Sequence, residues 1–270
     1  LNQAGMEVST FSNNGVGYYL MSRIFEPSEV SILCHQIAST GLLTAQYSHD
    51  LIEKLLSTQS EYTAASIKQH LVNKYDHKTE NNEILLNMEL LLDAISMKKM
   101  IKMQYNEYNL NKKLVTKKKR EFYELHPYHV VISDDIPYLV CRFEGHDDLA
   151  FYRIDYMKKI EILTSNTKPL DSNFDPYSYV RSRTYMFNGE VEKVKIKCSN
   201  NILGYVIEDF GKDIHLEKYD DDHFIATIRS SERGILFWIG RYMNYCEILE
   251  PQVFRDKFVE SLKNTLDKYD

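Results

Sequence analysis

The hydrophobic pattern of the chain changes its period near Lys99. Before this residue, apolar side chains recur three or four positions apart in "EVSILCHQIAST", "SHDLIEKLLS" and "NNEILLNMELLLDAIS". This spacing places them on one face of a helix, and Pro27 suits a first helical position. Residues 22–98 are therefore predicted to form a helical linker segment, in which Ser48 caps the second helix.

Beyond Lys99 the pattern favours strands. "MIKMQYNEY", "REFYELHPYHVVI", "PYLVCRF" and "LAFYRIDYMKKIEIL" alternate or are rich in β-branched and aromatic residues, and turn-like stretches join them. Such short antiparallel strands predict a small β-barrel over residues 99–165, closed so that its edges are hidden. Residues 166–188 contain prolines and many polar side chains and are predicted to be a linker.

The last part of the chain alternates between both periods. Over residues 189–270 the order is strand, helix, two strands, helix, strand and a final helix, which is typical of an α+β sandwich with helices on one sheet face. The predicted fold class of the whole chain is therefore α+β. At the other end, residues 1–21 contain Asn13-Asn14-Gly15 between β-forming stretches and predict a hairpin. Because an isolated hairpin is marginal in water, we expect it to end a domain that begins further upstream.

Charge is segregated along the chain, although the formal net charge is only −6. Residues 98–120 carry nine basic side chains and one acidic side chain, whereas residues 208–222 carry seven acids and two lysines. The four cysteines show no closely spaced pair, so neither a disulfide framework nor a structural zinc site is predicted. No apolar run is long enough for a membrane span and no secretory signal is recognisable, so we expect a cytoplasmic protein without membrane contact.

Familiar catalytic motifs are absent from the sequence. It contains no phosphate-binding glycine loop, no H-E-x-x-H and no G-x-S-x-G. His126 and His129 are expected to point to opposite faces of a strand, which argues against a metal pair there. Arginine, tyrosine and histidine together can cleave RNA by acid–base chemistry, but binding requires fewer coincidences of geometry and pKa. We therefore expect a binding protein rather than an enzyme, with no metal and no cofactor.

Several stretches resemble the WYL-domain transcriptional regulators of bacteria. Pro137-Tyr138-Leu139 stands where that family has its Trp-Tyr-Leu tripeptide on a strand of an Sm-like, SH3-type barrel. "ELHPYHVV" is similar to the preceding strand and "FYRIDYMKKIEIL" to the family's F-R-x-D-R-I strand. "NGVGYYLMSRIFEPSEV" resembles the wing end of a winged helix-turn-helix, and "GILFWIGRYMNYCEILEPQVFRDKF" resembles the C-terminal extension.

The resemblance implies a ligand site on the barrel. The family uses the residue before the proline, the tyrosine of the tripeptide and the arginine of the R-x-D strand, which here are His126, Tyr138 and Arg153. Arginine offers a forked donor set for phosphate, while tyrosine and histidine stack on bases or donate to phosphate oxygens. By strand parity, Arg142 is expected on the same face as Tyr138 and joins the candidates.

The sequence departs from the family at the second basic residue of that strand, which is Tyr156 here. Lys158 lies two positions further on and, like the "TKKKR" loop, offers an alternative cation for an anion. Structural roles remain open for two candidates, since Tyr138 can be a packed tyrosine and Arg153 can pair with a nearby acid such as Asp155.

These observations lead to a functional hypothesis. The resemblance implies a homodimeric transcriptional regulator whose N-terminal winged helix-turn-helix, mostly absent from this sequence, binds duplex DNA. Its barrel is expected to bind single-stranded nucleic acid or a nucleotide-like anionic effector. The alternative is an accessory ligand-binding or nucleic-acid-binding protein that modulates a partner nuclease or defence system without promoter binding.

Overall fold

The structure, a computed structural model of the chain, describes residues 24–72, 78–117, 120–172 and 174–270. The predicted hairpin around Asn13-Asn14-Gly15 lies outside the described residues, as do Lys118 and Lys119 of the basic stretch. Within the described parts of the chain, no helix is both long enough and apolar enough to cross a bilayer. The mixture of helices and antiparallel sheets confirms the α+β class.

The predicted helical segment is helical in the structure, and it contains one helix that was not predicted from the sequence. The helices are α1 Pro27–Ser39, α2 Ala45–Leu56, α3 Glu61–His70 and α4 Ile84–Ser96. Helix α3 was not predicted because only one of its apolar side chains, that of Ile67, is buried, so its apolar period is weak. Helices α1 to α3 share a small core that includes Cys34, Ile52 and Ile67.

The predicted cap of the second helix was wrong. Helix α2 starts four residues before the expected position, and the Thr44 hydroxyl accepts a hydrogen bond from the Tyr47 backbone N–H at 3.2 Å. Ser48 lies inside the helix, 2% exposed, and its hydroxyl has no hydrogen-bond partner among the described residues. Thr44 and Ser48 are both competent capping residues, and packing of the helix selects the earlier one.

The first sheet contains β1 Lys99–Tyr108, β2 Leu114–Thr116, β3 Tyr123–Ser133, β4 Ile136–Phe143, β5 Leu149–Arg153 and β6 Met157–Asn166. Its strands pair antiparallel in the order β6-β1-β3-β4-β5, with β2 on the far end of β1. Helix α4 packs on one face, where Leu91, Ala94 and Ile101 share a core. The predicted closure of this sheet into a barrel is not seen, because in the described residues no hydrogen-bonded ladder joins β5 to β6. A 3-10 turn at Ile154–Tyr156 links these two strands instead.

The predicted linker contains a short helix. Helix α5, Pro176–Arg181, follows the first sheet and precedes a 3-10 turn at Thr184–Met186. This helix was not predicted because its six residues are too few, and its surroundings too polar, to show an apolar period.

The C-terminal domain has the predicted order of elements. They are β7 Val191–Ser199, α6 Leu203–Phe210, β8 His215–Lys218, β9 His223–Ser231, α7 Glu232–Arg241, β10 Cys246–Glu250 and α8 Gln252–Leu266, with a 3-10 turn at Asn200–Ile202. The sheet order is β10-β7-β9-β8. As predicted, Trp238 is a core residue: it is fully buried, and its Nε1 donates to Asp209 at 2.7 Å.

Candidate functional site

Tyr138 and Arg153 are brought side by side by the pairing of β4 with β5. The two residues are direct cross-strand partners, so their side chains leave the same face of the sheet. The Tyr138 ring meets Phe151 edge-on at 6.5 Å, and its hydroxyl has no hydrogen-bond partner within the described chain. Two of the predicted ligand-binding residues therefore form one group, with a free phenol beside a guanidinium.

Neighbouring side chains hold the Arg153 guanidinium in place. Its Nε and Nη2 donate to the two carboxylate oxygens of Asp155 at 3.1 and 2.7 Å, and its Cζ lies 4.2 Å from the centroid of the Tyr156 ring. Its backbone N–H donates to the Tyr105 hydroxyl at 3.2 Å. The pairing with Asp155 that the sequence left open is thus present. A guanidinium has five N–H donors, so three remain available for a ligand.

A cavity of about 360 Å³ lies beside this group. Arg153 and Asp155 line it together with Lys78 of the helical segment and the Asp134-Asp135 turn. Both turn residues have positive φ, 49° and 61°, a conformation that suits a two-residue hairpin but costs non-glycine residues energy. The cavity is therefore lined by both cations and carboxylates.

The protonation states of this group follow from burial. Desolvation raises the pKa of the Tyr138 phenol, although the Arg153 charge opposes the shift, and desolvation also raises the pKa of Tyr108. Burial raises the pKa of Tyr105 still further, whereas it lowers the pKa of Lys78. Near neutral pH these phenols keep their protons, so the hydroxyls of Tyr138 and Tyr108 are able to donate hydrogen bonds.

His126 does not join this group, which corrects the expectation that the three residues converge. It pairs with Arg142 on β4, four residues from Tyr138 and so about 13 Å along the strand. Only 1% of its surface is exposed. Its Nε2 lies 2.5 Å from a Glu144 oxygen, and its Nδ1 accepts from the Lys168 backbone N–H at 3.1 Å. Both ring nitrogens are occupied, so His126 is a structural residue in this arrangement.

The remaining candidates take different positions. Arg142 lies near His126, with its Cζ 5.9 Å from the Tyr128 ring, and its Nε is buried without a hydrogen-bond partner in the described chain. Tyr156 belongs to the Arg153 group through its ring. Lys158 pairs with Gln104 on β1 and does not line the cavity. The structure thus groups Tyr138, Arg153 and Tyr156 and leaves the other candidates elsewhere.

The expectation that His126 and His129 point to opposite faces of β3 is also wrong. A bulge between Pro127 and His129 shifts the register by one residue, so that His129 pairs with Val140 and His126 with Arg142. Since Val140 and Arg142 share a face of β4, the two histidines share it as well. A proline has no N–H for the ladder, which explains an irregularity at this position.

The segment around α5 covers the middle of this face. The ring of Phe174 stacks on His129 at 6.3 Å and that of Tyr179 stacks on Phe151 at 5.7 Å. Val140, between them, is 1% exposed. The face that carries Tyr138 is therefore open at one end and covered by the connecting segment further along.

Sequence reasoning missed the residues that complete the site. Lys78, Tyr105 and the Asp134-Asp135 turn reach the group from three separate parts of the chain. The turn itself was visible as "SDD", but nothing local in the sequence places it beside Arg153.

Two parts of the chain match known domain families. Residues 87–162 match the WYL domain and residues 190–266 match the WCX domain. A search of curated proteins gave no match.

Two solved structures resemble the chain at low sequence identity. Proteasome accessory factor B/C (PafBC) of Arthrobacter aurescens is 13% identical with a TM-score of 0.33, and the match covers 94% of this chain and 39% of that one. A protein described as CRISPR Cas-related is 12% identical with a TM-score of 0.42, over 90% of this chain and 80% of the other. The chain thus spans well under half the length of the PafBC chain.

Proposed function

Because this chain contains a WYL domain followed by a WCX domain, we propose that it is a bacterial transcriptional regulator that binds a nucleotide-like or single-stranded nucleic-acid effector. In this proposal the effector site is the Tyr138–Arg153 group on the first sheet. Effector binding controls a winged helix-turn-helix that lies N-terminal to the helical segment and binds duplex DNA. The role is one of binding and requires no turnover.

The observation that carries the proposal is the Tyr138 hydroxyl beside Arg153, for which the described residues offer no hydrogen-bond partner. Tyr138 and Arg153 are cross-strand partners, and the guanidinium lines a cavity while keeping three N–H donors after binding Asp155. Charge-assisted hydrogen bonds from a guanidinium are among the stronger polar contacts to phosphate. The group therefore suits a phosphate oxygen that accepts from both side chains.

The acidic residues that line the cavity narrow the class of ligand that can bind there. Asp134, Asp135 and Asp155 line it together with Lys78 and Arg153, so three carboxylates face two cations. A bare inorganic anion gains little from such a cavity because the carboxylates repel it. A nucleotide also offers base and sugar donors, which the turn carboxylates accept, and this favours a nucleotide unit over a simple anion.

The site also contacts the helical segment. Asn81 lies in the chain just before α4, and its Nδ2 donates to the backbone oxygens of Asp155 and Met157 at 2.9 and 2.8 Å. Lys78 reaches back to the backbone oxygens of Ile37 and Thr40. A ligand that binds one arrangement of these contacts more tightly than another shifts the equilibrium of the helical segment toward that arrangement. The size of the shift is set by the difference in the ligand's affinity for the two arrangements.

The test is fluorescence anisotropy of a labelled single-stranded oligonucleotide titrated with the protein. We expect Tyr138→Phe, which removes only the hydroxyl, to weaken binding about tenfold, the effect of one hydrogen bond to a charged group. Arg153→Lys keeps the charge but loses the fork and the ring contact, and we expect a similar loss. Tyr152→Phe is the matched control, because that ring packs in the core beside Arg153. Equal affinity of wild type and Tyr138→Phe would contradict the assignment.

We also infer a homodimer that works in the cytoplasm. Operators with two-fold symmetry require a two-fold protein. Helix α4 supports this inference, because Leu85, Leu86 and Leu92 are 48%, 52% and 55% exposed. Size-exclusion chromatography with light scattering tests it: we expect twice the chain mass, and a monomer at micromolar concentration would contradict the inference.

A further inference from the structure

A second cavity, of about 840 Å³, lies between α5 and the outer face of the C-terminal sheet. Its walls come from α5 and the residues after it on one side and from β7 and β9 on the other. The volume falls within the range of small-molecule sites, about 300–1,000 Å³. It is separate from the Tyr138–Arg153 group, none of whose residues line it.

Two cations face each other across the sheet at this cavity. Lys193 and Arg229 are direct partners of β7 and β9, both line the cavity, and neither forms an ion pair within the described chain. Like charges directly opposite each other destabilise a sheet. Further along β7, Lys195 pairs with Glu250 at 3.0 Å and Lys197 lies over the Tyr219 ring at 4.2 Å. Lys195 and Lys197, on the same strand face, thus have partners, whereas Lys193 has no ion pair among the described residues and its cross-strand partner is another cation.

Arg183 adds a third cation from the opposite wall. Its Cζ lies 3.6 Å from the centroid of the Tyr179 ring, and its terminal nitrogens make hydrogen bonds of 3.2–3.4 Å to neutral oxygens. Its Nε is buried with no partner among the described residues. Burial lowers the pKa of Arg183, yet a guanidinium keeps its proton in proteins. No carboxylate of the described chain pairs with it.

The acids of the cavity are already engaged. Asp213 accepts from Arg181, with Nη1 to Oδ2 at 2.7 Å, and Asp175 accepts from the Ser178 backbone N–H at 3.2 Å. The rest of the wall includes the apolar side chains of Phe174, Phe210 and Ile214. The cavity therefore combines an apolar surface with three cations, Lys193, Arg229 and Arg183, that form no ion pair with the described residues.

We propose that this cavity binds a nucleoside 5′-phosphate, with the phosphate between Lys193, Arg229 and Arg183. The base packs on the apolar wall that includes Phe174 and Ile214. A phosphomonoester supplies the negative charge that these three cations lack, and an aromatic base matches the apolar side. The same chemistry occurs in a free mononucleotide and at the 5′-phosphorylated end of a nucleic-acid strand.

Isothermal titration calorimetry on the whole chain tests the site, with adenosine 5′-monophosphate and adenosine as probes. We expect the monophosphate to bind at least about tenfold more tightly than adenosine, as charge-assisted hydrogen bonds imply. Lys193→Ala combined with Arg229→Ala should weaken the monophosphate about a hundredfold. Lys195→Ala is the matched control, because it removes a lysine from the same strand face outside the cavity, and it should leave affinity unchanged. Equal binding of the two probes, or a double variant that binds like wild type, overturns the proposal.

Two further arms separate the alternatives. A 5′-phosphorylated trinucleotide that binds more tightly than the monophosphate, and loses affinity in the double variant, identifies a strand end as the source. Equal affinity identifies a free mononucleotide. Tyr138→Phe should leave binding of the monophosphate in this cavity unchanged, so failure of this site and failure of the proposed effector site are distinguishable. Without ligand, Lys193→Ala should raise the melting temperature because it relieves the repulsion from Arg229, and a lowered melting temperature contradicts the charge argument.

Discussion

Replacing Asn81 by alanine should destabilise the first sheet more than its position outside any helix or strand suggests. The side chain is fully buried and donates to the backbone oxygens of Asp155 and Met157 at 2.9 and 2.8 Å. Each lost hydrogen bond contributes about 1 kcal/mol net, and a buried carbonyl left without a donor costs about 1–3 kcal/mol more. The Met157 oxygen keeps a second donor, Asn87 Nδ2 at 2.8 Å, so the carbonyl that loses its donor is that of Asp155. Alanine also removes the Oδ1 that accepts from the Glu83 backbone N–H at 3.0 Å, so three hydrogen bonds are lost and we expect the free energy of unfolding to fall by about 4–6 kcal/mol.

The assay is urea unfolding followed by circular dichroism, with Asn82→Ala as the control. Asn82 is the neighbouring asparagine and is exposed, so its replacement should change the free energy of unfolding by less than about 0.5 kcal/mol. Because Asn81 holds the backbone of Asp155, which in turn holds Arg153, Asn81→Ala should also weaken oligonucleotide binding. Identical unfolding midpoints for the two variants would refute the reasoning.

Three further outcomes follow from the structure. Thr44→Ala should lower the free energy of unfolding by about 1 kcal/mol, because it removes a helix cap. Ser48→Ala should be neutral or stabilising in thermal melts, because the buried hydroxyl has no partner in the described chain. A larger loss of stability for Ser48→Ala than for Thr44→Ala would contradict this assignment of the cap. The pKa of Glu144 is lowered by its hydrogen bond to the His126 imidazole and, to a smaller extent, by the Lys168 charge. This contact therefore stabilises the fold above the ordinary glutamate pKa, and the stabilisation is lost as the pH falls below that value. Glu144→Gln should flatten the acid side of a plot of melting temperature against pH, and an unchanged plot would argue against the contact. Burial raises the pKa of the Cys198 and Cys246 thiols to about 12, so iodoacetamide at pH 8 should alkylate them much faster after unfolding than before. Mass spectrometry measures the alkylation, and rapid modification of either cysteine in the folded protein would contradict the raised pKa.

Local patterns predicted most of the elements but not how distant residues meet. The C-terminal order and the burial of Trp238 followed from alternating and helical periods, which short windows of sequence record. The cap at Thr44 rather than Ser48 depended on which turn packs, and strand parity for His129 failed at one bulge. One extra residue in a strand moves every later side chain to the opposite face of the sheet. Pro127 was the only local sign of this bulge in the sequence.

The same limit applies to the two sites. Tyr138 and Arg153 were paired through a family resemblance, and their cross-strand contact is a property of register. His126 was included by the same resemblance, but Glu144 and Lys168 occupy its ring nitrogens. Lys193 and Arg229 are 36 positions apart in the sequence, and only the ladder between β7 and β9 places them opposite each other.

Helix α5 touches both halves of the chain. Tyr179 stacks on Phe151 of the first sheet and also lines the cavity beside the C-terminal sheet. Phe151 in turn meets the Tyr138 ring edge-on, so a chain of ring contacts runs from the cavity beside the C-terminal sheet to the Tyr138–Arg153 group. If the two proposed ligands are coupled through these rings, reciprocity requires each ligand to change the affinity of the other by the same factor.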